Sequence, residues 1–163
     1  MKTTTLVAIS LVVVTAVAAA DAHKYALADL KALVKDGSFQ EALQHLGDVA
    51  PSERTADWQD VAAQTALGMV GLGKDPLEKL AVMIQFEEQY PVVMKNAKYS
   101  ALRADQGPKG FDACFQIDGA TDECMKYAIK FVDDAAGNGK LALAIAKAAR
   151  RNMNAYGAVP LFQ

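Results

Sequence analysis

The stretch Leu27-Ala28-Asp29-Leu30-Lys31-Ala32-Leu33-Val34-Lys35-Asp36-Gly37-Ser38-Phe39-Gln40-Glu41-Ala42-Leu43-Gln44-His45-Leu46 decides the fold class. Leu27, Leu30, Leu33 and Val34 recur at helical spacing and share one face, and Gly37 ends that helix. Phe39, Ala42, Leu43 and Leu46 then fall at i, i+3, i+4 and i+7, the buried face of a second helix. Ser38-Phe39-Gln40-Glu41 reads as a capping box: the Ser hydroxyl accepts from a free backbone N–H while Glu41 reaches back. Two short amphipathic helices joined at one glycine make an antiparallel hairpin.

The same pattern continues outward. Trp58, Val61, Ala62, Thr65 and Met69 mark a third helix, stopped by Gly71-Leu72-Gly73. Asp75-Pro76-Leu77-Glu78 starts a fourth, with Asp as cap, Pro at the first helical position and Glu in the first turn. Tyr90-Pro91 separates it from a fifth helix over about 92–105, and Gly107-Pro108 predicts a break before a short sixth over 111–117. Thr121 caps a seventh, which Gly137-Asn138-Gly139 ends, and Leu141, Ile145, Ala148 and Ala149 line the eighth. Alternating β-branched runs are almost absent. The expectation is an all-α protein of about eight helices.

Gly37, Gly73, Gly107 and Gly137 fall between helices one and two, three and four, five and six, and seven and eight, at intervals of 36, 34 and 30 residues. A helix–turn–helix unit of about 34 residues is the period of tetratricopeptide repeats. Gly37-Ser38-Phe39-Gln40-Glu41-Ala42 resembles the Gly-x-aromatic-x-x-Ala start of that family's second hairpin helix, with Leu43 and Leu46 at its further packing positions. The resemblance implies stacked antiparallel hairpins in a solenoid with one concave face. The family's Leu-Gly pair is missing from the first unit, and the last two units match by period alone. An irregular α-bundle is the alternative arrangement of the same helices.

At the N-terminus, Lys2 is followed by 15 uncharged residues, Leu6 to Ala20, interrupted only by Ser10 and Thr15. The run is short for a membrane anchor, which needs about 20 apolar residues. It closes on Ala18-Ala19-Ala20, small enough for signal-peptidase pockets, with cleavage after Ala20 or after Ala22. Residues 1–20 are thus expected to be a cleaved signal peptide and 21–163 a single domain, soluble and periplasmic or secreted. That part keeps 16 of the 17 basic residues and all 19 acidic ones, a net charge of −3. An acidic surface gives no reason to expect nucleic acid as partner, and no second apolar segment suggests stable membrane insertion.

Cys114 and Cys124 are the only cysteines, and an exported pair predicts a structural disulfide. Nine intervening residues exclude a two-residue redox motif, and the only histidines, His23 and His45, lie far from both for a zinc set. His45 falls beside core positions as a packing residue, and Glu87-Glu88 and Asp133-Asp134 read as solvated faces. Gly137-Asn138-Gly139-Lys140 lacks the further Gly and the Ser or Thr of a phosphate loop. No catalytic residues, metal site or cofactor are therefore expected. The reading that follows is a non-enzymatic interaction module gripping a peptide or partner protein. Asn96, Tyr99 and Arg103, at i, i+3 and i+7, are the candidate binding stripe on its concave face. The alternative is a helical carrier or enzyme with a central pocket, which requires polar groups intruding on apolar faces; Thr65 is the clearest.

Overall fold

A computed structural model describes residues 24–118, 120–133 and 138–152. The leader segment, the cleavage sites, Gly137 and Asp134 lie outside them. Among the described residues the chain is helical, with seven α-helices and no strand: α1 (Leu27–Lys35), α2 (Phe39–His45), α3 (Ala56–Leu72), α4 (Pro76–Gln89), α5 (Ala97–Cys114), α6 (Thr121–Asp133) and α7 (Gly139–Asn152). Short 3-10 turns at Leu46–Asp48, Pro51–Glu53 and Pro91–Lys95 join them.

The first hairpin forms as its sequence requires. Gly37 adopts φ 78°, a left-handed conformation that costs a Cβ-bearing residue but not glycine. Leu30, Val34, Ala42 and Leu46 are buried between the helices. The capping box does not form: Ser38 makes no side-chain cap bond, and Glu41 accepts a 2.8 Å hydrogen bond from the Tyr25 hydroxyl. Asp75 does cap α4, its Oδ1 accepting from the N–H groups of Leu77 and Glu78 at 2.9 Å. Asn96 caps α5 in the same way. Asn138 Oδ1 accepts from Leu141 N–H at the start of α7.

The expected break at Gly107-Pro108 is absent, because α5 runs unbroken from Ala97 through both residues to Cys114. Pro108 removes one helical hydrogen bond, and close packing along the glycine face holds the helix through it. A Cβ on Gly107 would lie 2.8 Å from the Phe131 ring of α6. One on Gly110 would lie 2.5 Å from Leu80 Cβ and 2.8 Å from the Pro76 carbonyl oxygen of α4. These glycines are approach points for neighbouring helices, so seven α-helices are described where eight were expected. Gly68 does the same service in α3, where the Phe39 ring lies against the backbone.

Packing follows chain order. α1 packs on α2 and α3, α3 on α4 and α5, and α5 on α6 and α7. α1 and α7 do not pack together to any substantial extent. Trp58 of α3 is buried, and its indole N–H donates to the Leu46 carbonyl at 3.2 Å, fastening the second hairpin to the first. The hairpins are unequal, with helices of 9 and 7, 17 and 14, and 18 and 13 residues. Cys114 at the end of α5 and Cys124 in α6 form a disulfide with Cα atoms 5.9 Å apart. Among the described residues no helix is long and apolar enough to cross a membrane.

Candidate functional site

The stripe Asn96, Tyr99 and Arg103 lies along α5, and two of its members turn inward. Tyr99 is 0 % exposed and Arg103 4 %. Both meet Glu87 of α4, which the sequence places in a solvated acidic pair but the structure buries. Arg103 Nε donates to Glu87 Oε1 at 2.9 Å and Nη2 to Oε2 at 3.0 Å, a two-pronged charge-assisted pair. Nη2 also donates to the Phe131 carbonyl at 3.0 Å, and the guanidinium lies 3.5 Å from the centre of the Phe131 ring. The Tyr99 hydroxyl donates to Glu87 Oε1 at 3.1 Å. Burial, then the Glu87 charge and hydrogen bond, push the Tyr99 phenol far above its ordinary range, so it stays protonated.

One carboxylate, one guanidinium and one phenol thus join α4, α5 and α6. A buried charge of either sign alone would be expensive, and here each satisfies the other. The space beside them, bounded by Ile84, Glu87, Tyr127 and Phe131, amounts to about 10 Å³, the room of a single water. Asn96 remains half-buried at the rim, its amide 3.4 Å from Asp60 of α3. Thr65, the other intruding polar group, is buried with its hydroxyl donating to the Val61 carbonyl at 2.9 Å.

Among the described residues, two surface depressions flank the first hairpin. One, of about 510 Å³, lies between the first hairpin turn and the end of α3, lined by Phe39, Gln44, His45 and Leu72; Leu72 is 63 % exposed. The other, of about 540 Å³, runs beside Lys24–Leu27, Val49 and Glu53. Between them the chain entering the fold is held at Tyr25. Its ring stacks on His45 with centroids 3.8 Å apart, and its N–H donates to Asp48 Oδ2 at 3.2 Å. His45 Nδ1 lies 2.8 Å from the same Asp48 oxygen. Partial burial works against the Asp48 charge, but the His45 and Tyr25 hydrogen bonds outweigh it and hold the carboxyl below its ordinary value. His45 is half-buried as its helical position predicts.

Among the described residues no group of three or more His, Cys, Asp or Glu side chains is placed to hold a metal. Exposed polar groups run along α1 and α3: Lys31 pairs with Asp57 at 2.6 Å, and Asp60 and Gln64 follow along α3. The sequence anticipated the Tyr99–Arg103 spacing but not its partner. The usable signal was an acidic residue, Glu87, placed directly after the buried Phe86 and four after the buried Met83. No protein-family model, curated protein or solved structure matches this chain.

Proposed function

We propose that the protein is an exported, non-enzymatic interaction module that holds a partner protein or peptide on an open face of its helices. The leader over 1–20 supplies the export half of this reading. The interaction half is carried by one observation, the serial packing of α1 on α3, α3 on α5 and α5 on α7. Helices stacked in that order leave a continuous layer, as in tetratricopeptide-like solenoids, here built from unequal hairpins. The layer presents Lys31, Asp57, Asp60, Gln64 and, at its edge, Asn96. Tyr99 and Arg103 support that face from beneath by fixing α5 on α4. A central-pocket carrier needs several hundred Å³ of enclosed volume, and the interior at the buried network leaves room for one water.

The test is site-specific photo-crosslinking of the exported protein in its own envelope. A crosslinker at Gln64 should yield one discrete heavier species, and one at Gln85 on the exposed side of α4 should not. Equal labelling at both positions would remove the odd-helix layer as the binding face.

A further inference from the structure

α7 is set apart from the other helices by its charge. It carries Lys140, Lys147, Arg150 and Arg151 and no carboxylate, in a chain whose formal net charge is −2. Each of the other six α-helices contains at least one Asp or Glu. Leu141, Ile145, Ala148 and Ala149 are buried, and α7 packs on α5 and α6. Lys140, Leu143, Lys147 and Arg150 are all exposed, at i, i+3, i+7 and i+10 along one side of the helix. At a rise of about 1.5 Å per residue the stripe is ~15 Å long. Leu143, 50 % exposed, stands between the cations. Among the described residues only Arg151 of the four has a carboxylate partner, Asp112 at 2.9 Å.

The helix's own electrostatics accounts for one end of this pattern. Arg150 and Arg151 lie in the last turn, where cations oppose the helix dipole. Lys140 lies in the first turn, where a cation is disfavoured, and α7 has no acidic residue there to offset it. Helix stability therefore explains the C-terminal end of the stripe and not its start.

We propose that this face of α7 docks an acidic segment of the partner protein in which a hydrophobic side chain stands among carboxylates. The proposal rests on the interaction reading above and names the partner's chemistry at α7. Lys140, Lys147 and Arg150 meet the carboxylates and Leu143 the apolar side chain. A stripe of this length suits about five residues of extended chain at roughly 3.3 Å each. Charge complementarity selects this occupant. An anionic membrane surface fits less well, because an interfacial helix buries a broad apolar face. α7 uses its own against α5 and α6, which leaves Leu143 as the one large apolar side chain outside. A nucleic acid would meet repulsion from the acidic chain beyond the stripe.

The test uses the full chain, purified as the cell produces it, and a dye-labelled peptide Glu-Glu-Leu-Glu-Glu followed by anisotropy. The peptide should bind, and more weakly as salt rises. The matched peptide with Lys for Glu should not bind, and the one with Ser for Leu should bind less tightly. Lys140→Glu with Lys147→Glu should weaken binding by about tenfold or more, since two attractions become repulsions. Lys35→Glu with Lys126→Glu, at exposed cations of α1 and α6, makes the same change of net charge. It should alter binding by less than about twofold, because distant surface charges are screened. Both double variants should keep the helical circular dichroism. No binding of the acidic peptide, or equal weakening by both pairs of reversals, would overturn the site. Tighter binding to phosphatidylglycerol vesicles than to the peptide, lost with the α7 reversals, would overturn the acidic segment as occupant. The Gln64 crosslink is a separate readout. Its loss alone removes the wider odd-helix face and leaves the α7 site, and loss of peptide binding alone does the reverse.

Discussion

Replacing Gly110 by Ala sets two effects of known size against each other. Alanine in a helix interior is favoured over glycine by about 0.8–1 kcal/mol, so propensity alone makes the variant more stable. The structure predicts the opposite sign. The new methyl group would lie 2.5 Å from Leu80 Cβ and 2.8 Å from the Pro76 carbonyl oxygen. The second of these is backbone at the first turn of α4 and cannot rotate away. Overpacking of this kind costs about 1–3 kcal/mol, and a contact with backbone belongs at the upper end. The net expectation is a loss of roughly 1–2 kcal/mol after the propensity gain. Gly71→Ala is the matched control, since it lies in α3, is exposed, and has nothing within 4 Å of its added Cβ. It should gain a few tenths of a kcal/mol, because the last turn of a helix realises only part of the propensity difference. Urea unfolding of both variants, with unchanged m-values, measures the difference directly. If Gly110→Ala stabilises as Gly71→Ala does, α4 and α5 do not meet there and α5 does not run through Gly107-Pro108.

Arg103→Ala should destabilise by about 3–5 kcal/mol because it strands the Glu87 carboxylate in the core; Glu87→Leu with Arg103→Met should recover much of that, and failure of the double variant to recover would mean the pair is not buried as described. Reducing Cys114–Cys124, which closes a short loop, should remove about 2–3 kcal/mol in the chain-entropy model, read as a lower melting temperature with the helical circular dichroism retained below it. Asp48 titrates lower in the folded than in the unfolded chain, so the unfolded state binds the extra proton first. Its contribution is whole above about pH 4, the ordinary carboxylate value, and is lost as pH falls through the lowered folded value. Asp48→Asn should flatten that acid limb of a stability–pH curve, and an unchanged limb would place the lost charge elsewhere.

The hairpin at Gly37 and the Asp75-Pro76 helix start are legible in the sequence because both are local. One residue needs a positive φ, and one carboxylate reaches N–H groups two and three positions on. The continuity of α5 through Gly107-Pro108 is not legible, because a glycine that admits a neighbouring helix and a glycine that turns the chain are the same letter. Only the position of Phe131, 24 residues further on, distinguishes them. The burial of Glu87 is hidden for the same reason. Its burial depends on Arg103, 16 residues away on another helix, and pairing of that kind leaves no trace in local periodicity. Ser38 fits the capping pattern, yet Glu41 is drawn to the Tyr25 hydroxyl, a contact made only after the chain entering the fold has docked. The Tyr99–Arg103 stripe was legible as a unit; the side it faces was not.

Serial packing of the odd-numbered helices is the premise of the proposed interaction face, and the distance across the stack tests it most directly. Spin labels on cysteines introduced at Lys31 on α1 and Lys147 on α7, both exposed, report that distance by pulsed electron resonance. Three successive helix-to-helix steps of 8–10 Å predict a separation of roughly 25–30 Å with a narrow distribution. A separation near 10 Å, a single step, would mean that α7 closes back on α1 as a bundle and that no open face exists.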